Sequence, residues 1–136
     1  MPTNPRAWIR AALLLGVVYF VIGRYFPNPA ENSRVWRLAA WALSGVAYMT
    51  HIAYEHFRLR SPSRAAATHV AVGVALGAFG LAAAAMLHSL STAPAIRPLW
   101  LFALIAWPAF TGLPAWIGAF VAATFLRRLG PERPVS

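Results

Sequence analysis

The sequence predicts an all-α polytopic membrane protein, an antiparallel bundle of four transmembrane helices in a single domain over residues 1–136, and three observations predict it. The first is composition: of 136 residues, 60% are hydrophobic and 11% charged, against about 45–50% and about 25% in an ordinary soluble domain. The second is charge placement, which leaves uncharged runs long enough to cross roughly 30 Å of hydrocarbon. The third is that each break between runs carries proline, serine, asparagine or arginine, the chemistry of helix ends. These runs place spans at about residues 7–26, 35–57, 65–87 and 98–126.

The first span holds 13 uncharged residues between Arg10 and Arg24, with Trp8 and Phe26 at its flanks. Arg6 and Arg10 before an apolar run would also suit a signal peptide. The following Gly23-Arg-Tyr-Phe lacks a small-x-small cleavage site, so the segment reads as a retained helix. Pro27 and Pro29 stop it, and Asn32 and Ser33 are candidate N-caps for the next helix.

The second span has 17 residues without Arg, Lys, Asp or Glu between Arg37 and Glu55. At about 100° per residue, Arg37, Trp41, Ser44, Tyr48, His51, Glu55 and Arg58 share one sector about 100° wide. Every member has a polar group. Such a stripe is expensive in hydrocarbon, so it is expected to face the bundle interior, enclosed water or a partner. Leu43 and Ala47 then lie on more lipid-open faces. The blander account makes the stripe structural, with Glu55 paired to Arg58 one turn away.

The connection Arg58–Arg64 offers Ser61 as N-cap and Pro62 at the first helical position, which predicts a tight antiparallel hairpin of the second and third spans. In the third, Gly73 and Gly77 form a Gly-x-x-x-Gly pair continued by Gly80 and Ala84. That is a surface for close helix packing, and Ala12, Gly16, Tyr19 and Gly23 trace a similar stripe on the first span. The connection from His88 to Pro98 is a Ser/Ala/Pro linker with Arg97 at its far end. The fourth span runs 29 uncharged positions from Pro98 to Leu126, or about 43 Å of straight helix. Pro108 and Pro114 flank Gly112, so a kink or break is expected there, repaired by Thr111 or offering carbonyls to an ion.

Twelve arginines against three glutamates, with no lysine or aspartate, give a formal net charge of +9. The arginines stand at helix ends, not along one face, which excludes nucleic acid and favours anionic lipid headgroups as partner. The absence of cysteine excludes disulfides, thiolate metal sites and thiol nucleophiles. Without aspartate there is no Ser-His-Asp triad, and no Walker, dinucleotide or His-Glu-x-x-His motif is present, so no catalytic site is evident. In length and span number the chain resembles the small multidrug-type transporters, whose essential glutamate lies in the first helix. Here that helix has no carboxylate, and the likeness is one of size.

Three functions remain open: an accessory or interaction subunit of a bacterial-type inner membrane, with a homo-oligomer or membrane-protein partner; a proton-linked transporter or channel; and a b-haem or metal carrier. The candidate proton, ion or ligand residues are His51, Glu55, His69, Ser44, Tyr48, Arg37, Arg58 and Thr111. His51 and Glu55 are four apart, hence neighbours on one helix face. His69 lies five residues past Arg64 and His51 seven before Arg58, so their depths differ by only about 3 Å. Those two histidines are the pair that would ligate haem or a metal.

Eight arginines fall on the side of the N-terminus, second connection and C-terminus, and four on the other. Both termini are therefore expected in the cytoplasm. Cysteine introduced at Ser136 should resist a membrane-impermeant thiol reagent in intact cells, whereas cysteine at Ser91 should react; labelling at position 136 before lysis would reverse the orientation.

Overall fold

In the computed structural model, which describes residues 5–27, 29–92 and 98–129, the chain is helical almost throughout. Its helices are α1 (Pro5–Tyr25), α2 (Ser33–Ala53), α3 (Ser63–Thr92) and α4 (Pro98–Leu129), and no strand occurs among the described residues. A short 3-10 turn, Ala30–Asn32, leads into α2, and a wide π-type turn, Tyr54–Arg58, extends it. Asn28, Arg97, Glu132, Arg133 and Ser136 lie outside the described residues.

Contacts between helices give the topology. Trp8 meets His69 near the starts of α1 and α3, and Gly23 meets Leu81 further along, so these two helices run in the same direction. Glu55 meets His69 and His51 meets Gly73, which sets α2 antiparallel to α3. Trp116 donates to Thr68 at 3.2 Å while Gly112 lies beside Ala75, which sets α4 antiparallel to α3 as well. Helix α3 is the centre, packed chiefly on α4 and α1.

The distribution of side-chain size is the reverse of a soluble core. Most buried apolar positions are small, Ala12, Ala66, Ala67, Val70, Ala78, Ala82, Ala119 and Ala123, with Ile22 and Ile52 the larger exceptions among the described residues. Large apolar side chains point outward, with Ile105 76% and Phe110 74% exposed, accompanied by Leu13, Leu14, Val17, Leu113, Val121 and Phe125. In water so continuous an apolar surface would aggregate. In a bilayer it is solvated, and small residues inside let helices approach. Helices α1, α3 and α4 are each long and apolar enough to cross a membrane. Helix α2 falls outside that set because it carries the polar stripe, and its apolar Leu43 (45% exposed) and Val46 (63% exposed) face outward like those of its neighbours.

Several local expectations change. Asn32 occupies the N-cap of α2 without a side-chain hydrogen bond, and Ser33 is already helical. Helix α3 begins at Ser63, with the Pro62 carbonyl accepting from the Ala66 N–H at 2.9 Å; the Ser61 hydroxyl is buried and caps nothing. Helix α4 is unbroken over 32 residues through both Pro108 and Pro114. The helix is not broken at either proline, since the missing N–H groups leave the hydrogen bonds on both sides in place.

The α1–α3 seam depends on absent side chains. A Cβ on Gly77 would stand 2.6 Å from the Tyr19 Cβ and 3.1 Å from the Gly16 carbonyl oxygen, whereas one on Gly45 would meet nothing within 4 Å. Gly77→Leu should lower the unfolding free energy in detergent by about 2 kcal/mol or more through overpacking. Gly45→Ala should be neutral or slightly stabilising. Equal thermal melting of the two variants would refute the seam.

Candidate functional site

Glu55 is the centre of the site, and local backbone puts it there. The turn Tyr54–Arg58 has the Leu59 N–H bonded to the Tyr54 carbonyl at 3.2 Å, five residues back. Arg60 then adopts a left-handed φ of 50°, unusual for a non-glycine residue. This reversal lets the Ser61 N–H donate to the Glu55 carbonyl at 3.0 Å, so the acidic residue is pinned at its backbone. Its side chain is 0% exposed.

A carboxyl group out of water needs partners. His69 supplies one, with Nδ1 3.0 Å from Glu55 Oε2, from a side chain 13% exposed. A proton on this line belongs either to an imidazolium beside a carboxylate or to a carboxyl beside a neutral imidazole, and a small displacement interconverts them. On the other side, His51 Nε2 stands 3.9 Å from Oε1, too long for a hydrogen bond but close enough to feel the charge. Both His51 ring nitrogens and Oε1 are buried without a hydrogen bond in this structure.

Two residues that sequence analysis did not single out for this site fix the imidazoles. The Trp8 indole stacks on His69 with ring centroids 4.2 Å apart and planes within 6°. Gly73 leaves the slot for His51, since a Cβ there would lie 3.2 Å from its Cε1 and 3.3 Å from the Ala12 carbonyl. Their signal was depth: Trp8 and His69 both lie in the first two turns of parallel helices, and Gly73 is one turn beyond His69.

The rest of the predicted stripe divides. Ser44 and Tyr48 are half-buried, and the Tyr48 hydroxyl donates to the Ala115 carbonyl at 2.6 Å, a reach made possible by Gly118. Arg37 and Trp41 are exposed, contrary to an inward-facing stripe; Arg37 bonds back to the Ser33 carbonyl at 3.3 Å and Trp41 is 79% exposed. Arg58 is also exposed and is not the partner of Glu55. The Thr111 hydroxyl proton is shared between the Trp107 and Pro108 carbonyls of its own helix, the repair expected beside a proline. His56 is half-buried with its ring edge-on to Phe57, and His88 is exposed at the far end of α3.

Among the described residues no group of three His, Cys, Asp or Glu is arranged to hold a metal ion. The Glu55 carboxyl lies between the imidazoles of His51 and His69, so they do not face each other across the gap a porphyrin needs. Two cavities adjoin the stripe. One of about 390 Å³ lies between α1 and α2 beside His51, Arg10, Thr50 and Tyr54. The other, about 660 Å³, lies deeper among all four helices beside Ser44 and Tyr48. No protein-family model, curated protein or solved structure matches the chain.

The pairing of Glu55 can be measured by a double-mutant cycle in detergent. Glu55→Gln and His69→Ala should show a coupling of about 1–3 kcal/mol on unfolding, while Glu55→Gln and Arg58→Ala should show none above error. The reverse pattern would restore the ion pair with Arg58.

Proposed function

We propose that the chain is a four-span integral membrane protein of a bacterial-type inner membrane, with cytoplasmic termini, in which Glu55 and its two histidines take up and release a proton coupled to movement of an ion or solute. The observation that carries this reading is the partner chosen by the buried carboxyl group. Arginine is abundant, yet Glu55 is hydrogen-bonded to His69 and faces His51. An Arg–carboxylate pair is permanently charged and serves as a lock. An imidazole changes charge near neutral pH, so a His–Glu pair can exchange a proton without leaving a charge stranded.

Further support comes from α2. A helix with an inward His51 and Glu55 and an outward Leu43 and Val46 can cross a bilayer when its carboxyl group is hydrogen-bonded by His69 of α3 and both groups are kept from lipid. The cavity beside His51 gives protons and water an approach between α1 and α2. A second reading, an accessory subunit, draws on the outer half of α2: the exposed Arg37 and Trp41 belong to a polar stripe and would be covered by a partner chain.

Purified protein in liposomes with an internal pH dye separates the two. The wild type should dissipate an imposed proton gradient, Glu55→Gln should reduce the rate at least tenfold, and Glu31→Gln and Glu132→Gln should leave it unchanged. No flux above empty liposomes, together with a stoichiometric partner retained in mild detergent, would replace transport by the accessory role.

A further inference from the structure

We propose that the 660 Å³ cleft among the four helices is a binding site for an uncharged, lipid-soluble carbonyl compound with a planar ring. Its volume falls within the range of small-molecule sites. No arginine, histidine or glutamate lines it, so a charged ligand would enter without a counter-charge. Trp41 and Trp107 line it and are 79% and 54% exposed, so the opening is lateral, toward the surface that a bilayer would cover. Tyr19 and Tyr48 bring the number of lining aromatic side chains to four, which suits a flat ring better than a flexible acyl chain.

The carbonyl is required by unspent donors. Thr50, Thr68, Thr111 and Thr124 each donate to a carbonyl of their own helix, as hydroxyls in apolar helices commonly do. Ser44 makes no hydrogen bond to the described residues, and the Tyr19 hydroxyl is buried without a partner. Both residues line this cleft, with the Tyr19 oxygen closed off in this structure, so a turn of the Tyr19 side chain brings its O–H to a ligand. An unpaired buried hydroxyl costs free energy that an acceptor on the ligand recovers, and a hydrocarbon chain has none to give. Beside Gly45 the space is free of protein atoms within 4 Å of an added Cβ, so the cleft can be filled there without a clash.

The test uses 2-methyl-1,4-naphthoquinone as probe and tryptophan emission of the purified full chain in detergent as readout. Wild type should show saturable quenching that is lost in Trp41→Phe/Trp107→Phe. Tyr19→Phe should weaken half-saturation about threefold to tenfold, the worth of one neutral hydrogen bond. Gly45→Leu should abolish the saturable phase, and Ala40→Leu, a second cleft-filling variant, should do the same. Methylnaphthalene and methyl palmitate should compete poorly. Quenching that is unsaturable, or unchanged in both filling variants, overturns the site; equal competition by methyl palmitate assigns the cleft to a lipid acyl chain and overturns the ligand class. Glu55→Gln should leave the titration unaltered, so failure of the proton reading and failure of this one are separately visible.

Discussion

The close approach of α1 to α3 is the constraint on which the rest of the structure depends. Gly16, Gly73 and Gly77 bring the two backbones together, with a Cβ on Gly16 already 3.0 Å from the Leu76 Cβ. Helix association in a bilayer gains little from the hydrophobic effect, because lipid tails are as apolar as leucine, so contact between backbones must supply it. That contact sets the site. It places the Trp8 ring on His69, and Gly73 cradles the His51 ring where α1 and α3 meet. A bulkier seam would separate the two elements whose side chains orient the imidazoles.

The turn that ends α2 supplies the second constraint. In a regular α-helix, residues three apart lie about 60° apart around the axis, so Glu55 and Arg58 would be neighbours. The hydrogen bond from Leu59 to Tyr54 widens the turn, rotating Arg58 off the stripe while Glu55 remains inside. The buried carboxyl group thereby loses a permanently charged partner and acquires titratable ones. Wide turns of this type occur often at functional positions, and here the physical effect is a choice of partner.

How much could be read from the sequence follows from the range of each interaction. Helix positions came from runs of uncharged residues, a signal repeated over some twenty positions, and α1, α3 and α4 are long and apolar enough to cross a membrane. The meeting of His51, Glu55 and His69 came from depth arithmetic across a short hairpin, which needs only the helical rise. What failed was local. Ser61 was expected to cap α3, but the left-handed Arg60 turned its N–H toward Glu55 instead. Two prolines were expected to kink or break α4, and the helix continues unbroken through both. Trp8 was seen as a flank because nothing in one sequence tells which side of α1 meets α3 until the glycine seam is placed.

The polar stripe of α2 thus divides along its length into segments with different environments. At one end, His51 and Glu55 are buried among α1, α3 and the connecting turn, with the 390 Å³ cavity between α1 and α2 beside His51. In the middle, Ser44 and Tyr48 border an open cleft, and Tyr48 crosses to α4 as the one hydrogen bond among the described residues joining these two helices. At the other end, Arg37 is exposed and Trp41 stands at the mouth of the cleft with most of its surface outside. The carboxyl group is thus fully buried, whereas the middle of the stripe borders a cleft whose wall includes four aromatic side chains. A proton needs only the buried end, where His69 and Glu55 stand at hydrogen-bond distance, whereas a molecule of any size needs the other. Helix α2 joins the two on one rigid element, so a ligand that shifted Tyr48 against α4 would act on the same helix that holds His51 against Glu55.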